Sequence, residues 1–394
     1  MEEQPEPARP RTGRPWRQRT FVDFNNYLCV KSFLHEIKKG ASLRVAEFLF
    51  DDQNQVITDT QGKAYANEIV VVFNKEKPNQ KTQKPMPVSA TALCRSFPPG
   101  SEWIYFKLYC GIRTADEILH ARILPLTQLF ARNGWVDRWF FIRYSDPDKH
   151  IRLRFHLSDQ RHLGAVISMV YQALEQPLQQ RLIWKLQTDT YEREVERYGV
   201  HTMEISESLF HCDSLHTLLF LQQSGDFQEA ARWYYGLLAA DSLLNCFGMS
   251  LEAKIAFTEM MKDAFEAEFK VKDNVRLRKL VNDKFRNHRQ QIIPLLDSSD
   301  EDSFGDLYRL MASRQSDTQS IADNILKIYK EQRINPERYM PSYIHMLFNR
   351  LFTSGQRTYE LVLYELLYGY YQYKFHVAKK RPSVQQVESV VERH

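Results

Sequence analysis

The stretch that most constrains the fold is WFFIRYSDPDKHIRLRF, Trp139 to Phe155, because its second half alternates charged and apolar residues without a break. Successive side chains of a β-strand point to opposite faces of the sheet, so the pattern predicts a strand with two unlike faces. The charged and apolar sets are His150, Arg152, Arg154 and His156 against Ile151, Leu153, Phe155 and Leu157. Two guanidinium groups on one face can grip a carboxylate, but an edge strand protected by charge is an equally open interpretation.

Composition describes a globular chain. The 394 residues are 43% hydrophobic and 13% aromatic, which suits two or three domains with a substantial core. Lys plus Arg total 53 and Asp plus Glu total 49, so the net charge of +4 gives no electrostatic reason to expect a direct nucleic-acid partner. No apolar run approaches the roughly 20 residues of a membrane span.

Cysteine and glycine usage argue against a metal or nucleotide cofactor. The five cysteines are scattered with no CxxC pair, and no Cys/His cluster stands out at metal spacing. We therefore expect a reducing, cytoplasmic setting and no structural zinc. Glycine is scarce, at 14 residues, and neither GxGxxG nor GxxxxGK[ST] occurs, so no phosphate-cradling loop and no cofactor are expected.

The N-terminal quarter is predicted to be loosely organised. Residues 1–18 lack the apolar core of a secretory signal and are expected to form a disordered tail. Residues 19–74 suggest a small module, with a helix near 27–39 and, after a turn, an extended segment at 68–73. Residues 75–100 are polar and rich in proline and lysine, which is typical of a linker.

Residues 101–190 predict an α+β fold with a ferredoxin-like sheet. Turn signals separate strand and helix patterns in the order β-α-β-β-α-β, in which both helices cover one face of four antiparallel strands. Thr114 and Glu117 are predicted to open the first helix as a capping box. The predicted strands cover 102–110, 137–144, 150–157 and 182–189, and the predicted helices 114–132 and 160–175.

The sheet face left free by the helices is predicted to be either solvated or covered by another part of the chain. The first strand would place alternate residues there beside the two arginines. This mixed aromatic and basic face consists of Trp103, Tyr105, Lys107, Tyr109, Arg152 and Arg154. It is a candidate polar site.

A large helical region is predicted over 191–379, followed by a polar tail at 380–394. Apolar spacings of three and four indicate helices at 209–222, 227–247, 251–269, 274–293 and 341–352, with two more before the last, and a solvated loop at 298–303. In the last helix Ser342, His345 and Asn349 form one polar stripe on an otherwise apolar surface. Such a histidine is either structural or catalytic.

Four motifs in order resemble one known family. They are WIYFKLYCGIRTADEIL, WFFIRYSDPDKHIRLRF, TYEREVERYG and SYIHMLFNRLF, within residues 101–376. Together they resemble the C-terminal elimination domain of class I lanthipeptide dehydratases, also known as the thiopeptide-type bacteriocin biosynthesis domain. FVDFNNYLCVKSFLHEIKKG and GKAYANEIVVVF resemble the end of the preceding glutamylation domain, so 19–74 is interpreted as its remnant and the chain as a fragment or half of a split enzyme.

The resemblance implies a lyase that eliminates glutamate from glutamylated Ser or Thr of a precursor peptide, leaving dehydroalanine or dehydrobutyrine. Arg152 and Arg154 match the family's RxR pair and Arg193 a further arginine, all implied to bind glutamate carboxylate or developing negative charge. His345 matches the histidine of the HM-xx-NRL motif and is the implied acid/base. Further substrate-binding candidates, each with an alternative role in packing or ion pairing, are Lys107, Arg143, Tyr198 and Asn349.

Two other functions stay open. A relative with the same fold could join two dehydroalanines by [4+2] cycloaddition into the pyridine core of a thiopeptide, but that reaction has no glutamate for these arginines to bind. A non-catalytic module could hold a precursor peptide by strand addition. The resemblance implies a precursor peptide and a separate glutamylation subunit as partners; homodimers occur in related enzymes, and the oligomeric state stays open.

Overall fold

The computed structural model describes residues 24, 26–38, 93–223, 229–271 and 275–380. The chain divides into two compact units, residues 1–88 and 89–394. In the first unit helix α1 covers Tyr27–Lys38, which confirms the helix predicted near 27–39. The predicted tail at 1–18 and the extended segment at 68–73 lie outside the described residues, as does almost all of the predicted polar tail at 380–394.

The second unit contains the predicted four-stranded sheet. Its strands are β2 (Trp103–Cys110), β3 (Val136–Ser145), β4 (Lys149–Leu157) and β5 (Ile183–Thr188). They lie in the order β3-β4-β2-β5 and each neighbouring pair is antiparallel, as a ferredoxin-like β-α-β-β-α-β chain requires. The α+β prediction is therefore confirmed.

One face of the sheet forms the core that it shares with its crossover helices. Helices α2 (Ile112–Ile118) and α3 (Leu124–Arg132) are joined by a π-helical turn, Leu119–Ile123, and α4 covers Leu163–Gln179. The predicted apolar set from β2 and β4 is buried here, and the Phe130 ring of α3 packs edge-on against Phe155, 5.5 Å between centroids. The predicted capping box is wrong, because α2 begins at Ile112 after Gly111, so Thr114 already lies inside the helix.

The opposite face is covered and not solvated. A two-stranded ribbon of β1 (Ser96–Phe97) and β6 (Tyr191–Glu192) packs at one end of it, and the Tyr191 ring lies 5.2 Å from Trp103. Trp103, Tyr105 and Tyr109 are all buried. Part of the segment predicted as linker, Ser96–Phe97, therefore belongs to the folded unit.

The described residues after β6 are mostly helical, as predicted. The helices are α5 (Val195–Tyr198), α6 (Met203–Gln223), α7 (Glu229–Cys246), α8 (Leu251–Glu268), α9 (Val275–Leu296), α10 (Glu301–Glu331), α11 (Met340–Leu351) and α12 (Gln356–Lys380). The predicted loop at 298–303 is half helical, because Asp300 caps α10 by accepting a hydrogen bond from the Ser303 N–H. None of the helices that the structure describes is long and apolar enough to cross a membrane.

Helices α6 and α11 close the edge of the sheet at β3. The Phe141 N–H donates to Ser214 Oγ of α6 (3.2 Å). The Asn349 amide of α11 accepts from the Arg143 N–H (2.8 Å) and donates to the Arg143 carbonyl (2.9 Å), so it pairs with β3 as another strand would. This contact fixes α11, and with it His345, alongside the strand that neighbours β4.

Candidate active site

The centre of the buried sheet face is the guanidinium group of Arg154. It lies against the rings of Tyr105 (4.5 Å), Tyr191 (4.8 Å) and Phe140 (5.2 Å). Within the described ranges no carboxylate pairs with it, and its Nε has no hydrogen-bond partner. Burial of a charge without a counterion is costly, and burial indeed lowers the pKa of Arg154. The unpartnered Tyr105 hydroxyl lies beside it, so the position suits an incoming anion.

Arg152 and Lys107 form the more open rim of this face. Cα pairing across β2 and β4 sets Lys107 opposite Arg152 and Tyr105 opposite Arg154. The Arg152 guanidinium stacks on Tyr144 at 3.4 Å, and Lys107 forms an ion pair with Asp189. The structure thus brings three of the predicted binding residues together around Tyr105.

Arg193 contacts this site indirectly, because it shares the carboxylate of Glu207 with Tyr191. Its guanidinium donates to both carboxylate oxygens of Glu207 (2.7 and 2.8 Å) and to the Cys94 carbonyl (3.0 Å). Glu207 also accepts from the Tyr191 hydroxyl (2.8 Å). Because these donors already have partners, the arrangement favours a positioning role for Arg193, which holds the aromatic wall against Arg154.

His345 belongs to a second polar group, on α11 and α12. Its Nδ1 lies 2.8 Å from Oε1 of Glu360, a carboxylate that is 1% exposed, whereas the imidazole is 30% exposed. Gln356 donates to the His345 carbonyl (2.9 Å) and to Glu360 (3.1 Å). With the Nδ1 proton directed at Glu360, Nε2 is left as the basic nitrogen. Among the described residues, no hydrogen bond or ion pair joins His345 to the three arginines.

A cleft of about 240 Å³ is lined by residues that contact members of both groups. Its lining includes Tyr144 and His150, which both contact Arg152, the latter by accepting from Arg152 Nε (3.2 Å). It also includes Gln356, which contacts His345. Arg152, Arg154 and His345 do not themselves line the cleft, which adjoins the two groups through these neighbouring residues.

Arg143 and Tyr198 have structural partners. The Arg143 guanidinium donates to Asp116 and to the Arg350 carbonyl (2.9 Å), which ties β3 to α2 and α11. Tyr198 is buried, with its ring 4.8 Å from Phe210, and burial raises the pKa of its hydroxyl. Neither is free to bind substrate as it stands, although Arg143 does line the cleft.

Two functional candidates were missed from sequence. Glu360 stands fifteen positions after His345 on a different helix, so no local spacing pointed to it. Arg350, the arginine of the HM-xx-NRL motif, is fully buried, donates to Ser214 (3.1 Å), and leaves Nη2 without a partner among the described residues. A charged residue in the apolar SYIHMLFNRLF run was the signal that could have marked it.

A thiol, an imidazole and a carboxylate also meet between α6 and α10, contrary to the expectation of no Cys/His cluster at metal spacing. Cys212, His216 and Asp317 offer ligand atoms within 4.8 Å of one another and could hold a metal ion. His216 Nδ1 lies 3.0 Å from the Cys212 carbonyl. Burial raises the pKa of the Cys212 thiol to about 11, so at neutral pH the group is a thiol that must lose its proton before it can bind metal.

Two histidines, the buried His216 and the half-buried His211, predict a loss of stability in mild acid. Burial lowers the pKa of both His211 and His216, while in the unfolded chain their pKa returns to about 6.5. Below that pH the unfolded state binds more protons than the folded state, so the free energy of unfolding falls as pH falls. We expect a loss between pH 7 and 5 of at most about 1.4 kcal/mol per pH unit for each histidine. Urea unfolding measured from pH 7 to pH 5 should show that the free energy of unfolding falls less steeply with pH for His216→Gln than for the wild-type chain. The same pH dependence in both would contradict this.

The sequence matches the family described as lantibiotic biosynthesis dehydratase C-term over residues 103–371. The chain belongs to this family. Family members of this kind take part in lantibiotic biosynthesis, and the matched range agrees with the resemblance that the four motifs carry over 101–376. The sheet face, both arginines of the RxR pair and the helix with His345 all lie inside it.

Two curated relatives of this dehydratase family domain are the subtilin biosynthesis protein SpaB of Bacillus subtilis and the nisin biosynthesis protein NisB of Lactococcus lactis subsp. lactis. They are 24% identical over 351 residues and 25% identical over 361 residues. Each alignment covers 86% of this chain and 32% of the relative. The chain thus spans about a third of the length of the curated relatives that it matches.

Solved structures share the fold. The tRNA-dependent lantibiotic dehydratase MibB from Microbispora sp. 107891 matches with a TM-score of 0.55 and 22% identity, over 72% of this chain and 29% of MibB. The pyridine synthase TbtD from thiomuracin biosynthesis matches with a TM-score of 0.51 and 16% identity, over 68% of this chain and 97% of TbtD. At these identities the likeness establishes the fold, which serves both kinds of protein.

Proposed function

We propose that the chain is a lyase that eliminates glutamate from glutamylated Ser or Thr residues of a ribosomally made precursor peptide. The observation that carries the proposal is the buried guanidinium of Arg154, which has aromatic neighbours and no carboxylate partner in the described ranges. A glutamyl ester brings its own free carboxylate. That carboxylate would supply the missing counterion and accept hydrogen bonds from Arg154 and Tyr105.

The reaction is a β-elimination. The α-proton of the esterified residue leaves to a base, its electron pair forms the Cα–Cβ double bond, and the Cβ–O bond breaks to release glutamate as a carboxylate. Negative charge develops first on the peptide carbonyl oxygen and then on the leaving group. Fixed cations such as Arg152 and Arg154 stabilise such charge more effectively in a dry site than in water.

His345 is proposed as the base. The buried carboxylate of Glu360 holds Nδ1–H, orients the ring and leaves the Nε2 lone pair available, an arrangement used by many histidine bases. The ring is partly exposed and its partner Gln356 lines the cleft, so we place the substrate residue that loses its α-proton at the side of the cleft formed by Gln356.

A [4+2] cycloaddition is the competing reaction, given the structural likeness to a pyridine synthase. Elimination is preferred because cycloaddition joins two neutral dehydroalanines and offers no anion to an unpaired, buried cation. The proposal includes a precursor peptide and a separate glutamylating subunit as partners, as the resemblance of the four motifs implies.

The test is direct. The purified chain is incubated with a peptide that carries one glutamyl-serine ester, and the products are weighed by mass spectrometry. We expect a peptide lighter by one glutamic acid, together with free glutamate. Recovery of intact ester would argue against the lyase, and simple hydrolysis to serine would point to a different reaction at the same site.

A further inference from the structure

Strand β5 forms the edge of the sheet opposite β3, and within the described ranges its outer side has no partner. It pairs only with β2. The Asp189 N–H donates to the Tyr105 carbonyl (3.1 Å), and in an antiparallel ladder every second residue points its backbone groups the same way. The backbone groups of the alternate residues Leu186 and Thr188 therefore point away from the sheet, up to the register shift between Lys185 and Ile183.

Exposed apolar side chains flank this edge. Trp184 is 53% exposed, and Tyr171 and Ile167 of α4 are 51% and 40% exposed. Gln176 marks the flank of α4 that faces the π-helical turn before α3, because it accepts from Arg122 of that turn (2.6 Å). At 100° per residue Ile167 lies half a turn around the helix from Gln176, which directs it to the β5 side.

The surface between this edge and the cleft is basic. Lys185 of β5 covers the Tyr109 ring at 5.0 Å, and Arg152 lies further across the sheet, stacked on Tyr144 at the cleft. Three strand spacings of about 4.8 Å separate β5 from β3, so the span is about 14 Å, or about four residues of extended chain. A peptide could thus occupy the edge and the cleft at the same time.

We infer that the β5 edge binds an extended segment of the substrate peptide by strand addition, a few residues away from the glutamylated residue in the cleft. This rests on the proposed function. Strand addition uses main-chain hydrogen bonds, which tolerate varied sequences, while alternate side chains meet the apolar flank of Trp184 and Tyr171. On a peptide that extends from the β5 edge to the cleft, the carboxylates of glutamyl groups would complement the positive charges of Lys185 and Arg152.

The test compares two probes that cannot react. The long probe is a fluorescein-labelled peptide of about sixteen residues, enough for the four-residue span and a strand on either side. Its central diaminopropionate carries glutamate as an amide. The short probe is that single residue, capped at both ends. Thr188→Pro removes one outward N–H from an exposed edge position, and Thr188→Val is the matched control that keeps it.

We expect Thr188→Pro to weaken binding of the long probe about tenfold or more, with the short probe unaffected and Thr188→Val like wild type. Equal affinity of the proline and valine variants for the long probe would overturn the inference. The inference would also be overturned if the wild-type chain sedimented as a dimer, Thr188→Pro sedimented as a monomer, and both bound the long probe with the same affinity. In that case a second copy of the chain would occupy the β5 edge. If the short probe binds and its binding depends on Arg154, the proposed function is supported even when the β5 edge plays no part. If neither probe binds, both the proposed function and the β5 inference are rejected.

Discussion

Arg154→Met is expected to lower kcat/KM for a glutamylated peptide about 10³-fold while leaving the free energy of unfolding unchanged or higher. The guanidinium is buried against Tyr105, Phe140 and Tyr191, and no carboxylate of the described residues pairs with it, so the folded protein bears the cost of a desolvated charge. Methionine fills a similar volume without charge, and replacing buried charges by apolar groups is often neutral or stabilising. Removal of a fixed cation that stabilises the negative charge of the transition state lowers kcat about 10²–10³-fold. Weaker binding of the glutamyl carboxylate in the ground state lowers kcat/KM further.

Arg193→Met is the matched control, because Arg193 is buried on the same side of the sheet but is paired. Its loss leaves the fully buried Glu207 carboxylate with only the longer contact to Arg138 (3.7 Å), and breaking a buried ion pair costs up to about 3–5 kcal/mol. Urea unfolding of both variants, together with steady-state kinetics, separates the two roles. A destabilised and still active Arg154→Met would show that Arg154 is only structural.

His345→Ala is expected to reduce kcat by about 10²–10⁴, the range in which a positioned proton-transfer group contributes. Because the ring is 30% exposed beside a cleft, added imidazole should enter the vacated space and restore part of the rate. The measurement is kcat with and without imidazole, with His201→Ala, an exposed histidine, as the control. A wild-type rate for His345→Ala would remove it from the mechanism.

Glu360→Gln tests whether the carboxylate positions that histidine. The glutamine side chain has the same volume as glutamate, but its NH₂ group can donate a hydrogen bond to Nδ1 of His345. The imidazole proton can then reside on Nε2, so Nε2 is no longer the basic nitrogen. We expect kcat to fall about 10–100-fold with KM unchanged, as for other groups that orient a catalytic ligand. A rise in KM at constant kcat would instead indicate a binding role.

Much of the sheet could be predicted because strand alternation is a local property. The pattern of Ile151 to Phe155 fixes which side chains enter the helix-covered core, and the β-α-β-β-α-β order fixes which strands are neighbours. The same alternation correctly set Arg152 and Arg154 on the opposite face. What it could not reveal was that β1 and β6 cover that face, since a two-residue ribbon has no periodicity to detect.

Long-range polar pairing was beyond sequence reasoning. Arg193 is predicted from sequence to bind the substrate, but its partner Glu207 comes from α6, beyond the short helix α5, and Glu207 also accepts from the Tyr191 hydroxyl of β6. His345 and Glu360 meet across the turn between α11 and α12 for the same reason. A single site that combines His345 with the three arginines therefore stays a proposal, supported by a cleft whose lining includes Tyr144 and His150, which contact Arg152, and Gln356, which contacts His345.

The central claim is that an unpaired buried arginine recognises the carboxylate of a glutamyl ester. The most direct measurement compares elimination from a peptide with a glutamyl-serine ester and from the same peptide with a glutaminyl-serine ester, which differ only in that charge. We expect the wild-type chain to favour the glutamyl ester by about 10²-fold or more in kcat/KM, and Arg154→Met to lose this preference. Equal rates for both esters in the wild-type chain would contradict the account.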